Sequence, residues 1–245
     1  MDYSFEELLI CVLARRLEGL NHVAVGALSP MPGSAALLAK AVGDGTMHVS
    51  IIHGDANNPF TDGGRELFDC AGQGRIDAFF LGGAQIDGEA NINLLGLGPY
   101  PDLDKRFSGS FGSAYVYFVV PRVFLFAPEH SKRVLVDKVD FISAPGTSPP
   151  EVHRPGGPKY LVTGLCVMAF DAAQKRFILE SVHPGVTVEQ VRDNTGFDFD
   201  VPGDVPETPE PEADRLELLR AKIAPQIAKT YPDFAKRVFP TRQSH

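Results

Sequence analysis

His53-Gly54-Asp55-Ala56-Asn57-Asn58 gathers an imidazole, a carboxylate and two amides into one short run at the end of an apolar stretch. A histidine beside an aspartate can act as a base held in one tautomer. The same string also suits a loop with an Asx turn, and for His53 both readings stay open. Downstream, an apolar strand from Ala78 to Leu81 stops at Gly82-Gly83 and gives way to a polar turn with Gln85, Asp87, Gly88, Glu89, Asn91 and Asn93. A second glycine-rich loop follows, Gly109-Ser110-Phe111-Gly112-Ser113. Glycine lets backbone N–H groups approach an anion or oxyanion, and loops at strand carboxyl ends are where α/β sheets bind ligands. Ordinary turn chemistry is the competing explanation. Arg122 stands after Pro121 in the apolar stretch Tyr115 to Phe126, where a buried cation would need a carboxylate, an anionic ligand or a neighbouring protein chain against it.

Strand-then-helix alternation must position these groups. Ser4 to Glu7 is a capping-box pattern opening a helix with Phe5, Leu8, Leu9, Val12, Leu13 and Leu17 at helical spacing, stopped near Gly19. His22–Ala27 and Met47–Ile52 read as strands, and Ser34–Val42 and Arg65–Ala71 as helices. That repeat predicts an α/β fold with a mostly parallel, twisted sheet and right-handed crossovers. Residues Ser113–Val120 suit strand and helix equally. Val123–Phe126 is a strand, Lys138–Ser143 follows it, and Tyr160–Phe170 with Phe177–Val182 form a last antiparallel pair. Thr187–Asn194 is a short capped helix. From Asp204 to Glu212 the chain is rich in Pro and Glu, as exposed linkers are. Leu216, Leu219, Ile223 and Ile227 then mark a weak amphipathic helix interrupted by Pro225. These patterns divide the chain into a domain over residues 1–203 and a tail over 204–245.

Composition narrows the class. With 245 residues, 44% hydrophobic and 22% charged, a substantial core is available. A net charge of −8 argues against nucleic acid. No apolar run approaches the roughly 20 residues that cross a bilayer, and the N-terminus lacks a signal-peptide pattern. A cytoplasmic protein without a membrane partner is therefore expected. Cys11, Cys70 and Cys166 are far apart, and the histidines show no HxH or HExxH spacing, so neither a disulfide framework nor a metal site is expected. No P-loop, GxGxxG or GxSxG elbow occurs.

Several ordered motifs resemble the beta subunits of class I CoA-transferases of the glutaconate type. They are Leu81-Gly82-Gly83-Ala84-Gln85-Ile86-Asp87 with Asn91-Ile92-Asn93, then Arg106 to Ala114, then Val139-Asp140-Phe141-Ile142-Ser143-Ala144-Pro145-Gly146. Gly157-Pro158 with Leu161-Val162-Thr163 and Thr195-Gly196-Phe197 continue the match, which covers about Phe5 to Asp200. The resemblance implies an open sheet of the CoA-transferase subunit kind, a CoA-thioester substrate, no further cofactor, and an alpha-subunit partner in an α2β2 assembly. Family transferases use a glutamate of this subunit to form a covalent thioester. This chain has His53-Gly54-Asp55 at that place and no glutamate between Glu18 and Glu66. Phe111, Ser113, Tyr115 and Val116 also depart from the family's second loop.

The branch that fits these losses is the ring-opening CoA hydrolase of bacterial steroid catabolism, the IpdAB type, whose acid/base glutamate lies in the alpha subunit. Carried over, the resemblance gives His53, Gly54, Asp55 and Asn57 the former nucleophile site. Gln85 and the N–H groups of Gly109 and Ser110 would hold substrate or oxyanion, and Arg122 a carboxylate or developing oxyanion. A glutaconate-type transferase using Asp55 or a shifted carboxylate is the alternative. Tyr115, Tyr117 and Phe118 suit a fused-ring substrate but read better as core.

Overall fold

The computed structural model describes residues 2–54 and 57–240. The first elements are α1 (Phe5–Leu17), β1 (His22–Val25), α2 (Pro30–Val42), β2 (His48–Ile51), α3 (Gly64–Gly72) and β3 (Ala78–Leu81). Short strands β4 (Gln85–Ile86), β5 (Ile92–Asn93), β6 (Gly96–Leu97) and β7 (Lys105–Arg106) precede α4 (Ser113–Val119) and β8 (Arg122–Ala127). Next come β9 (Pro158–Thr163), β10 (Cys166–Asp171), β11 (Arg176–Val182) and α5 (Val188–Asn194). The last helices are α6 (Ala213–Leu218), a π-helical turn (Leu219–Ile223), α7 (Ala224–Ile227) and α8 (Pro232–Val238). The main sheet has the order β11-β10-β9-β8-β3-β1-β2. β1 runs parallel to β2 and β3, and β8 to β9, while β10 and β11 add antiparallel strands at one edge. This is the open, mostly parallel sheet flanked by helices that the strand–helix alternation predicts. Among the described residues no helix is long and apolar enough to cross a membrane.

Two compact units divide the chain: residues 1–79 with 209–245, and residues 80–208. In the first, the capping box of α1 forms as expected, Glu7 N–H donating to Ser4 Oγ at 3.2 Å and Ser4 N–H to Glu7 Oε2 at 2.8 Å. α2 begins at Pro30, earlier than the apolar pattern indicates, because proline at the first helical turn is preset in φ and gives up an N–H that had no partner. Gly33 lets this helix sit tightly: a Cβ there would lie 3.2 Å from Ile227 Cδ1 and 3.3 Å from Ile51 Cδ1.

Residues from 209 onward, set apart on composition, belong to this first unit. Leu216, Leu219, Ile223 and Ile227 are all buried. The turn before Pro225 widens to a π-helix, which suits a residue that lacks an N–H and crowds the carbonyl four positions back. Four arginines then join tail to α1 and its end: Arg15 with Glu212, Arg215 with Glu18, Arg220 with Glu7, and Arg237 with Glu6.

In the second unit, the expected exposed linker is in part a sheet edge. Leu179 N–H donates to Asp200 O at 2.8 Å, Val182 N–H to Pro206 O at 3.1 Å, and Thr208 N–H to Val182 O at 2.7 Å. The backbone of 200–208 thus covers β11, whose open edge would otherwise template pairing. The single strand expected over Tyr160–Phe170 is instead the hairpin β9–β10, with Val162 opposite Val167. An uninterrupted apolar run hides such a turn, and Gly164 was its mark. Lys138–Ser143 forms no strand; the neighbouring backbone joins β5 through an isolated bridge, Ile92 with Ala144. Ser113–Val119 settles as helix, placing Tyr117 wholly inside and leaving Tyr115 43% exposed.

Glu7 is buried, which works against its charge, but the two-point contact with Arg220 at 2.5 and 2.8 Å outweighs this and keeps the carboxyl below its ordinary value. Arg220→Ala strands that carboxylate and should cost on the order of 2 kcal/mol in a denaturant melt. A loss under about 0.5 kcal/mol, typical of exposed pairs, would show that the tail is not held this way.

Candidate functional site

β2 ends in a turn whose shape is set by two residues. His53 has φ 63°, left-handed backbone that is uncommon outside glycine, and its side chain is exposed. Gly54 N–H returns to Ile51 O at 3.0 Å. A Cβ at Gly54 would stand 3.1 Å from that carbonyl and 3.3 Å from Ile51 Cβ, so a larger residue would press on its neighbours by a few tenths of an ångström. His53 therefore supplies the side chain at the tip. Asp55 lies outside the described residues. Asn57 O accepts Ile51 N–H at 2.8 Å, carrying the chain back along β2. Asn57 then lines a cavity of about 740 Å³ with His22, His48 and Ser50, a wall to which His53 does not contribute.

In the second unit, the polar motif after β3 is internal scaffolding. Gln85 pairs across β4–β5 with Asn93. Its Oε1 accepts Asn93 Nδ2 at 2.7 Å and Asp140 N–H at 3.0 Å. Asp87, buried, takes the N–H groups of Glu89 and Asn91 on Oδ1 and the Asn91 amide on Oδ2. Asn91 Oδ1 accepts Gly146 N–H at 3.1 Å. Gln85 is thus fixed with its carbonyl oxygen already engaged, and Nε2 is what it can offer a ligand.

The loop Gly109–Ser113 is built differently. Gly109 has φ 100° and Phe111, 79% exposed, φ 38°. Ser113 N–H donates to Ser110 O at 2.8 Å and the Ser113 hydroxyl donates to the same oxygen. The N–H groups of Gly109 and Ser110 meet no acceptor among the described residues, as donors aimed at a ligand would. Arg122 corrects the expectation of a buried cation: it is exposed at the start of β8, while Val123, Phe124 and Leu125 turn inward. Its place at the strand's end carries it to the surface, so it needs no internal partner.

Two features escaped the motifs. Arg154 stacks over Tyr117 and Phe118, 5.2 and 5.6 Å from the ring centroids. Its sequence signal was a lone cation among turn residues, His153-Arg154-Pro155-Gly156-Gly157. His130 is wedged between Thr163 Oγ1 at 2.7 Å and Thr195 Oγ1 at 2.9 Å. No spacing pattern marks such a pair of contacts.

Residues 7–194 match the family model described as Coenzyme A transferase. The chain belongs to the coenzyme A transferase family. A 3-oxoadipate CoA-transferase chain of Pseudomonas knackmussii, its second subunit, is 33% identical over 246 residues, 89% of this chain and 93% of the relative. The cholesterol ring-cleaving hydrolase IpdB subunit of Rhodococcus jostii is 31% identical over 169 residues, 66% of this chain and 65% of that relative. Among solved structures, R. jostii IpdAB superposes with a TM-score of 0.81 at 25% identity, covering 98% of this chain and 100% of the other. The resemblance carried by the motifs is therefore correct at the level of family and fold.

Burial pushes the His130 imidazole down from 6.5 to about 4. The neutral ring's contribution is complete above pH 6.5 and is lost as pH falls from there toward 4, because the unfolded chain takes up the proton first. The full loss is at most about 3 kcal/mol. Thermal melts from pH 7 to 4 should show His130→Gln losing less stability than the parent; parallel pH curves would refute this.

Proposed function

We propose that this chain is the beta subunit of a heteromeric CoA-transferase-like hydrolase that opens a ring of a steroid-derived cyclic CoA thioester, with an alpha subunit in an α2β2 assembly. The observation that carries this reading is the β2 turn. Where family transferases carry their nucleophilic glutamate, this chain has an exposed imidazole at His53 and a tightly packed glycine at Gly54. Neither His53 nor Gly54, the described residues of that tip, carries a carboxylate, and in this reading water takes the place of the attacking group.

In the proposed reaction water adds to a ring ketone, its proton passing to the alpha subunit's glutamate. The C–C bond to the carbon α to the thioester then breaks. The ketone carbon leaves as a carboxylate, and the electron pair becomes an enolate that is protonated on carbon. The CoA thioester itself stays intact. His53 and Arg122 supply positive or hydrogen-bonding character to developing oxyanions. Gly54 lies at the vacated nucleophile site, to which the resemblance also assigns Asp55, and Gln85 Nε2 with the Gly109 and Ser110 N–H groups orients substrate. Asn57, whose carbonyl closes the turn and which lines the cavity beside His22, completes the nucleophile site.

A second reading has one observation in its favour, the match over 93% of a 3-oxoadipate CoA-transferase chain. It requires Asp55 or a shifted carboxylate as nucleophile. Turnover of a cyclic steroid-derived β-keto CoA thioester in H₂¹⁸O by the co-expressed complex distinguishes them. One ¹⁸O in the new carboxylate, intact thioester, and a fall in kcat of about 10²-fold or more for His53→Ala are expected. CoA exchange between an acyl-CoA and a free acid, with no ring opening, would overturn the proposal.

A further inference from the structure

α4 is seven residues long, too short to persist by itself, and its amino end is continuous with the Gly109–Ser113 loop. The position of the two loop N–H groups that lack an acceptor among the described residues therefore depends on what holds this helix. A helix leaves its last carbonyls without partners. Here they are taken by a distant segment: Arg154 Nη2 donates to Tyr117 O at 2.9 Å, Gly156 N–H to Phe118 O at 2.9 Å, and Gly157 N–H to Val120 O at 3.1 Å. The same guanidinium donates through Nε to Gly156 O at 2.8 Å and through Nη1 to Pro145 O at 2.9 Å. These acceptors are carbonyls, and no carboxylate pairs with Arg154 among the described residues. A cation at a helix carboxyl end also meets the negative end of its dipole.

Tyr117 extends the connection. Its hydroxyl donates to Ala90 O at 2.8 Å, within the turn that Asp87 and Asn91 organise. Gly146, one residue beyond the Pro145 carbonyl held by Arg154, is bound by Asn91 and leaves no space for a Cβ, which would fall 2.1 Å from Glu89 O. The Gln85–Asn93 hairpin, α4 and residues 145–157 thus meet around one arginine.

We propose that Arg154 is a positioning residue: by capping the carboxyl end of α4 from across the unit, it fixes the Gly109–Ser113 loop whose N–H groups face the substrate. It touches neither substrate nor reacting atoms. The structural half of this inference stands by itself, and the kinetic half rests on the proposed function.

Arg154→Gln and Arg154→Lys in the co-expressed complex test it by hydrogen exchange and by kinetics on the cyclic thioester. Exchange should rise about tenfold or more over residues 109–119, with smaller changes at 87–91. kcat should fall about tenfold or more, with KM held within about threefold, as expected when a group acts in the transition state. Lysine keeps the charge but not the fork of donors, so Arg154→Lys should fall between parent and Arg154→Gln. If Arg154→Gln does not fold, Arg154→Lys alone must show the raised exchange. Unchanged exchange over 109–119 overturns the inference, as does a uniform rise across 80–208 with kcat and KM both intact. Should the parent complex leave the thioester untouched, the functional reading fails while the exchange pattern still decides the capping claim.

Discussion

A long run of chain between β3 and β9 is folded with little regular structure, and its buried N–H and C=O groups must nevertheless be satisfied. Side chains meet that requirement. Gln85, Asp87, Asn91 and Asn93 accept backbone N–H groups, and Tyr117 and Arg154 donate to backbone carbonyls. Residues that look catalytic in sequence, amides and a carboxylate between glycines, are to a large extent the substitute for a missing sheet ladder. What they hold in place is a loop with two N–H groups that meet no acceptor among the described residues. In the proposed function these backbone groups meet the substrate, and the polar side chains are their frame.

The first unit works under a different constraint. Its parallel strands end in β2, and the chain leaves through a left-handed residue followed by a glycine packed on the preceding carbonyl. Backbone in this conformation costs about 1–3 kcal/mol and persists where surrounding structure enforces it. Here α2 lies close over β2 and α7, and the tail helices are pinned to α1 and its end by four arginine–carboxylate pairs. Under the proposed function, this strained turn is where a family transferase would carry its nucleophile. The side chain now offered there is an imidazole.

How much of this was legible in the sequence follows from the range of the interactions. The capping boxes at Ser4 and Thr187 are local, and both formed. Helical spacing found α1, and strand–helix alternation found the parallel sheet. Segments decided by distant partners were not readable: Asp204–Glu212 has linker composition, yet its first part pairs with β11, and the helix after it is weak only until α2 packs against it. Ser113–Val120 could not be resolved because its helix is capped by Arg154, Gly156 and Gly157. Arg122 was misjudged because an apolar sequence neighbourhood is not a buried spatial one. The family motifs were legible as motifs, but most of their polar residues turned out to support the fold.

The central claim is that no carboxylate of this chain becomes covalently linked during turnover. Mass spectrometry of the co-expressed complex, after incubation with acyl-CoA and trapping with borohydride, measures this directly. The account predicts this chain at its unmodified mass while the ring of a steroid-derived thioester is opened. A carboxylate of this chain, Asp55 or any other, held as a CoA thioester and reduced by borohydride to its alcohol with release of CoA, would contradict it and return the protein to covalent CoA transfer.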